Sequence, residues 1–173
     1  MKAASKSELK IAIIGATGAV GLEIVKVLYK RQYPAPVLFA SHRSAGKEIE
    51  TDFGTLIVQE FTLDRVRGDQ YDAIFLAVSG GFSLKFGREL AANYNESEED
   101  GPWVIDNSSA FRLDDSIPLV VPEINGEKEQ IEKSKSRLIA NPNCTTAIAA
   151  MVLWPIHCAY GGIQKCIVST YQA

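Results

Sequence analysis

Apolar residues in this chain fall in short blocks separated by glycine, proline or charged stretches, and the blocks alternate between two periods. Leu9 to Ile14 is a mostly apolar run that ends at Gly15, and Val20 to Tyr29 then carries apolar residues at helical spacing. That succession predicts a strand, a glycine turn and a helix. Val37 to Ala40 predicts a second strand after the Pro34 and Pro36 turn, Leu56 to Glu60 a third, and Tyr71 to Val78 a longer one. Strands that lack alternation are expected to be buried on both faces. Phe82 to Tyr94 has helical periodicity, Trp103 to Ile105 predicts a strand, and Arg137 to Ala140 another that runs into Asn141-Pro142-Asn143-Cys144. Strands alternating with helices imply an α/β, Rossmann-like, doubly wound and mostly parallel sheet, assigned here to residues 1–143.

The remaining blocks behave differently. Asn95 to Gly101 holds four acids and no apolar residue, the pattern of a solvated loop. Cys144 to Cys158 is nearly all apolar, which predicts a helix buried on several sides, kinked at Pro155 and stopped by Gly161-Gly162. Lys165 to Tyr171 reads as a strand close to the end of the chain, where an edge with no cover suggests that the sequence continues.

Composition narrows the classes of function. The chain has 173 residues, 46% of them hydrophobic, enough to fill the core of one domain and to open a second. Its formal net charge of −3 supplies no basic surplus for phosphate contacts, so a nucleic-acid partner is not expected. Neither a leader nor a run of about 18 apolar residues is visible, so no membrane partner is expected and a cytoplasmic location is the default. Cysteines at 144, 158 and 166 are odd in number and lack Cys-x-x-Cys spacing, which predicts reduced thiols rather than a disulfide framework or a metal site.

Candidate chemistry sits at the ends of the predicted strands. Gly15-Ala16-Thr17-Gly18-Ala19-Val20-Gly21 stands where strand becomes helix, a setting in which backbone N–H groups and the helix dipole face a pyrophosphate. The alternative is a tight turn without a ligand. About twenty residues further on, an NAD enzyme places an acid against the ribose 2′-hydroxyl. Here Ser41-His42-Arg43-Ser44 has no acid, and the guanidinium of Arg43 with the hydroxyls of Ser41 and Ser44 suits a 2′-phosphate, so NADP is the expected cofactor. His42 reads as a surface residue or a neighbour of the adenine. Ser79-Gly80-Gly81 follows the long strand and allows close approach of the cofactor. Asp106-Asn107-Ser108-Ser109-Ala110-Phe111-Arg112 offers a carboxamide, hydroxyls and an arginine at the same rim, with Asn107 assigned to the cofactor and Arg112 to a phosphate or carboxylate. Cys144 lies where a strand ends and a helix begins, a position that favours thiolate over thiol and stabilises an oxyanion. Cys158 and Cys166 stand among apolar residues and read as packing.

Taken together, Gly15 to Gly21, Ser44 to Gly46, Asp106 to Arg112, Val121 to Asn125, Asn141-Pro-Asn-Cys-Thr-Thr146 and Ser169-Thr-Tyr-Gln-Ala173 resemble the aspartate semialdehyde dehydrogenase family, in order and over the whole chain. The resemblance implies a first domain carrying the NADP site, followed from residue 144 by the start of a truncated α+β catalytic and dimerisation domain. It implies that Cys144 is the nucleophile, that Gln172 orients the acyl intermediate, that Arg112 and Asn143 bind substrate or phosphate, and that Arg43 and its neighbours hold the NADP phosphate. The implied substrates are aspartyl phosphate, aspartate semialdehyde and phosphate, in the biosynthesis of lysine, threonine and methionine, by an enzyme that assembles as a dimer or tetramer. The family's general-base histidine and its carboxylate-binding arginine lie further along than residue 173, so this piece alone is expected to be inactive, and His157 does not replace the base. Two other readings remain at this point: N-acetylglutamyl phosphate reductase, which shares fold and mechanism, and a non-catalytic NADP-binding module.

Overall fold

The computed structural model describes residues 6–92, 101–127, 131 and 136–171. Seven strands form one sheet: β1 (Ile11–Ile14), β2 (Val37–Ala40), β3 (Glu48–Thr51), β4 (Gly54–Glu60), β5 (Ala73–Leu76), β6 (Trp103–Asp106) and β7 (Leu138–Ala140). Their spatial order is β3-β4-β2-β1-β5-β6-β7, and every neighbouring pair is parallel except the β3–β4 hairpin. The order reverses at β1, between β2 and β5, which is where a doubly wound sheet opens a crevice at its carboxyl edge.

Burial explains why β1 is apolar at every position. Ile11 and Ile13 pack on one face with Val25 and Leu28 of α1 (Ala19–Lys30), while Ala12 and Ile14 pack on the other with Val66 of α2 (Leu63–Gly68) and Leu90 of α3 (Gly80–Ala91). All four β1 residues are buried. Helices therefore cover both faces, and the doubly wound expectation holds.

Two elements escaped the hydrophobic pattern. β3, with the sequence Glu-Ile-Glu-Thr, is an exposed edge strand whose side chains alternate between solvent and partial cover, so its polar residues hide it. The six-residue α2 is too short to show a period; Thr62 caps it by accepting from the Arg65 N–H at 3.3 Å. A further short helix, α4 (Pro122–Asn125), begins at a proline in its first turn, where the missing N–H costs nothing.

The last part of the chain departs from expectation. Helix α5 (Cys144–Ala159) forms, contains Pro155 and ends before Gly161 and Gly162, both at positive φ, but no residue in it is buried. An apolar helix needs a neighbour on each apolar face, and α5 lies beside α4 and the segments around Leu119, Pro142 and Ile163 without any of its residues becoming buried. Residues 165–171 form no strand; a strand exists only as part of a ladder, and no described segment pairs with them. Cys158 and Cys166, read as packing residues, are exposed. Residues 95–100 of the acidic stretch, and Gln172, lie outside the described residues.

Candidate functional site

The glycine turn is shaped by close backbone approach. Gly15 has φ +86°, and a Cβ there would lie 2.2 Å from the Ala77 carbonyl oxygen, so β1 hands over to α1 directly against the end of β5. Gly21 serves the other side: its Cβ would stand 2.5 Å from the Gly15 carbonyl oxygen, and only glycine lets α1 pack down on its own turn. The Gly15 and Ala16 N–H groups both donate to the Phe39 carbonyl, at 2.8 and 3.1 Å, which locks the turn to β2. Gly18 caps α1 without a side chain, and Thr17, Gly18, Ala19 and Val20 are exposed, so the start of α1, where helix N–H groups lack intrahelical partners, is open to solvent.

A cavity of about 590 Å³ opens beside this turn. Ile14, Gly15, Thr17 and Gly18 line it from the first strand and turn, Ser41 and His42 from the end of β2, and Ala77, Val78 and Ser79 from the end of β5. Ser79 also caps α3, accepting from the Phe82 N–H at 3.4 Å. The volume falls in the range of small-molecule and cofactor sites. Gly80 and Gly81 occupy the first turn of α3; a Cβ at Gly81 would meet nothing within 4 Å, so packing inside the chain does not demand glycine there. Glu60 and Phe61, at the end of β4, and Phe82 of α3 complete the lining and were not singled out from the sequence. Glu60 and Phe61 reach it because β4 lies parallel beside β2, with Ala40 opposite Glu60, a pairing that no local pattern encodes.

The β2–β3 turn is built by the Ser44 N–H donating to the Ser41 carbonyl at 2.9 Å and by Gly46, at φ +80°, donating to the Val58 carbonyl at 2.8 Å. Ser41 reaches the cavity wall. Arg43 is exposed on the turn, and neither it nor Ser44 lines the cavity itself.

A second cluster forms at the ends of β6 and β7. Asp106 is fully buried, and its Oδ1 accepts from Ser83 Oγ of α3 at 2.7 Å and from the Ser108 N–H at 3.1 Å, while Oδ2 accepts from Ser108 Oγ at 2.7 Å. This carboxylate fastens α3 to the loop that follows β6. Asp106→Asn turns one acceptor into a donor facing donors. It is expected to lower stability by about 1 to 3 kcal/mol, read as an earlier urea midpoint at unchanged slope. An unchanged midpoint would show that the loop holds its shape without the carboxylate.

That loop delivers Arg112. Its Nε donates to the Asn141 carbonyl at 2.9 Å and its Nη2 to the Asn107 carbonyl at 3.0 Å, and Asn141 Nδ2 donates to Asn107 Oδ1 at 2.7 Å. The guanidinium thus bridges the ends of β6 and β7 three residues before Cys144, half-buried, with donors beyond those two still to be used. Asn107 is committed to this bridge and does not line the cavity. Further out, donation from the hydroxyl and N–H of Ser116, with Arg88 beside it, holds the Asp114 carboxyl below its ordinary value.

Cys144 is the first residue of α5 and is exposed. Asn143 caps the helix, its Oδ1 accepting from the N–H groups of Thr145 at 3.0 Å and Thr146 at 3.4 Å. Two of the helix-end donors expected to face an oxyanion are therefore already engaged, and Asn143 acts here through its cap. All three cysteines being exposed, position at a helix start is what separates Cys144 from the others. His157 stacks on Trp154 with ring centroids 5.6 Å apart, and its Nδ1 accepts from the Ile163 N–H at 3.2 Å. It lies thirteen residues along α5 from Cys144, about 20 Å of helix rise. Among the described residues no cluster of histidine, cysteine and acidic side chains could hold a metal ion, and no helix is long and apolar enough to cross a membrane.

Comparison with known proteins agrees with this geometry. The model of the semialdehyde dehydrogenase NAD binding domain matches residues 10–134. The aspartate-semialdehyde dehydrogenase of Synechocystis is 37% identical over 169 residues, covering 96% of this chain and 46% of its own length. That of Bacillus subtilis is 40% identical over 168 residues, covering 95% and 44%. The crystal structure of aspartate semialdehyde dehydrogenase II from Vibrio cholerae, complexed with ASA, aligns with a TM-score of 0.71 at 38% identity, covering 87% of this chain and 47% of that one. The chain thus spans less than half the length of these relatives.

Proposed function

Since the chain belongs to the semialdehyde dehydrogenase family and carries its NAD-binding domain, we propose that it is the cofactor-binding part of an NADP-dependent, phosphorylating aspartate semialdehyde dehydrogenase. The observation that carries this reading is the cavity between the glycine turn, the end of β2 and the end of β5, at the carboxyl edge that also bears Arg112 and Cys144. In this reading residues 1–143 form the dinucleotide domain and residues 144–173 open the catalytic and dimerisation domain, through which the protein assembles as a dimer or tetramer in the cytoplasm. The apolar, uncovered α5 supports that boundary.

The dinucleotide fits the residues present. The exposed start of α1, with Thr17 and Gly18 on the cavity wall, suits the pyrophosphate, and the Ser41 to Ser44 turn suits a 2′-phosphate. Bound there, NADPH supplies a hydride to the acyl carbon. Gly80 lies next to Ser109, with 3.9 Å between its would-be Cβ and the Ser109 Oγ, so the rim is continuous from the cavity to the Arg112 loop. Arg112 is the residue proposed to receive the phosphate of aspartyl phosphate. Cys144 attacks the acyl carbon; the sulfur–carbon bond forms, the carbon–oxygen bond to phosphate breaks, and phosphate leaves with the electron pair. Reduction of that thioester would release aspartate semialdehyde and return Cys144 as the thiolate. Gln172 is proposed to orient the acyl group.

Among the described residues no histidine stands beside Cys144. Of the two histidines, His42 lines the cavity and His157 is held on α5 by Ile163 and Trp154. The base is proposed to come from outside the described residues, and on its own this chain to bind the dinucleotide without turning over.

The test is calorimetric titration of the purified chain with NADPH and NADH. NADPH is expected to bind more tightly, and Arg43→Ala to cut that preference by about 10- to 100-fold, the worth of one charge-assisted phosphate contact. An unchanged preference ratio would remove Arg43 from the site; no binding of either dinucleotide would overturn the cofactor reading.

A further inference from the structure

Glu60 is an acid inside the cofactor cavity that the reaction does not use. It is the last residue of β4, and its parallel partner Ala40 is the last residue of β2, so it stands one strand outward from the place where an acid normally meets the ribose. Its carboxylate makes no hydrogen bond or ion pair among the described residues and lines the cavity together with Phe61 and Phe82. Those two rings meet at 4.9 Å between centroids and 63°, and Phe86 closes the group at 5.3 Å from Phe61 and 4.8 Å from Phe82. The result is a braced aromatic wall with one free, acceptor-only group at its margin.

We propose that Glu60 reads the base of the dinucleotide, accepting a hydrogen bond from the exocyclic amine of an adenine packed along Phe61 and Phe82. The inference rests on the cofactor reading above and adds the base specificity of that site. An aromatic wall offers stacking or edge contact to any base, so it cannot discriminate by itself. Discrimination needs a polar group at the base's edge, and an ionised carboxylate can accept but not donate. It therefore suits the amine of a 6-amino purine and opposes the oxygen of a 6-oxo purine, which could regain a hydrogen bond only by turning its N1–H toward the carboxylate. The anion-suited turn at Ser41 to Ser44 emerges from β2 rather than β4. The 2′-phosphate is thus assigned to the end of β2 and the base to the neighbouring end of β4, where Glu60 stands.

The experiment compares NADPH with its deamino analogue, in which hypoxanthine replaces adenine, by calorimetry on the purified chain and on Glu60→Gln. The native protein is expected to prefer the adenine form by about 10- to 100-fold, the range for a hydrogen bond to a charged group. A glutamine amide can turn either its oxygen to the amine or its nitrogen to the oxo group, so Glu60→Gln should bring the two forms within a few-fold of each other while the ratio of NADPH to NADH affinity stays constant. Equal binding of both forms by the native protein, or discrimination that survives Glu60→Gln, overturns the assignment. A shift in the NADPH to NADH ratio instead would move Glu60 to the ribose and also overturn it. Failure of every dinucleotide to bind is a separate result, because it removes the cofactor reading on which the proposal stands.

Discussion

Cys144→Ala, made in the full-length dehydrogenase proposed above, is expected to reduce turnover by about 10⁴-fold or more, since in that reading the substitution removes the covalent nucleophile and leaves only binding and electrostatic contributions to the rate. The same assignment can be read on the chain itself. All three thiols are exposed, so access to a reagent does not favour any of them. Only Cys144 stands at the first position of a helix, α5, whose dipole favours negative charge there. A limiting amount of alkylating agent should therefore label Cys144 ahead of Cys158 and Cys166, mapped by mass spectrometry of the peptides. Because Asn143 Oδ1 already takes the Thr145 and Thr146 N–H groups, the selectivity should be modest in the absence of a base. Labelling of Cys158 or Cys166 equal to that of Cys144, or turnover that persists in Cys144→Ala, would remove the residue from the mechanism.

Gly15→Ala is expected to cost about 2 to 5 kcal/mol, a large share of the 5 to 15 kcal/mol typical of a domain. Two separate penalties act. The backbone at φ +86° is strained for any residue with a Cβ, and that Cβ would sit 2.2 Å from the Ala77 carbonyl oxygen and 2.9 Å from a Val78 methyl. The end of β5 must then retreat from the turn, which opens the cavity wall formed by Ala77, Val78 and Ser79. Gly54→Ala separates the two penalties: its φ is +94°, but a Cβ there meets nothing within 4 Å. It should lose only the strain, about 1 to 2 kcal/mol. Equal urea midpoints for the two variants would show that the contact with β5 is not the reason for glycine at position 15.

Local chemistry along the chain was sufficient for much of the first domain. β1, β2, β5 and β7 lie within the predicted blocks, and β6 overruns its block by one residue, Asp106, because a strand buried on both faces is mostly apolar, as Ile11 to Ile14 are. The glycines at 15 and 21 were legible because a strand-to-helix turn facing a ligand leaves no room for a Cβ, and Cys144 because the Asn-Pro-Asn segment ends a strand and starts a helix. What depends on which strands become neighbours was not legible. Glu60 and Phe61 enter the cavity only because β4 pairs with β2, and Asp106 becomes an internal fastener only because α3 brings Ser83 over β6. The sequence alone also assigned cover to α5, since its apolar residues point in every direction. Burial is a property of neighbours rather than of a segment, and among the described residues too few neighbours reach it for any of its side chains to be buried.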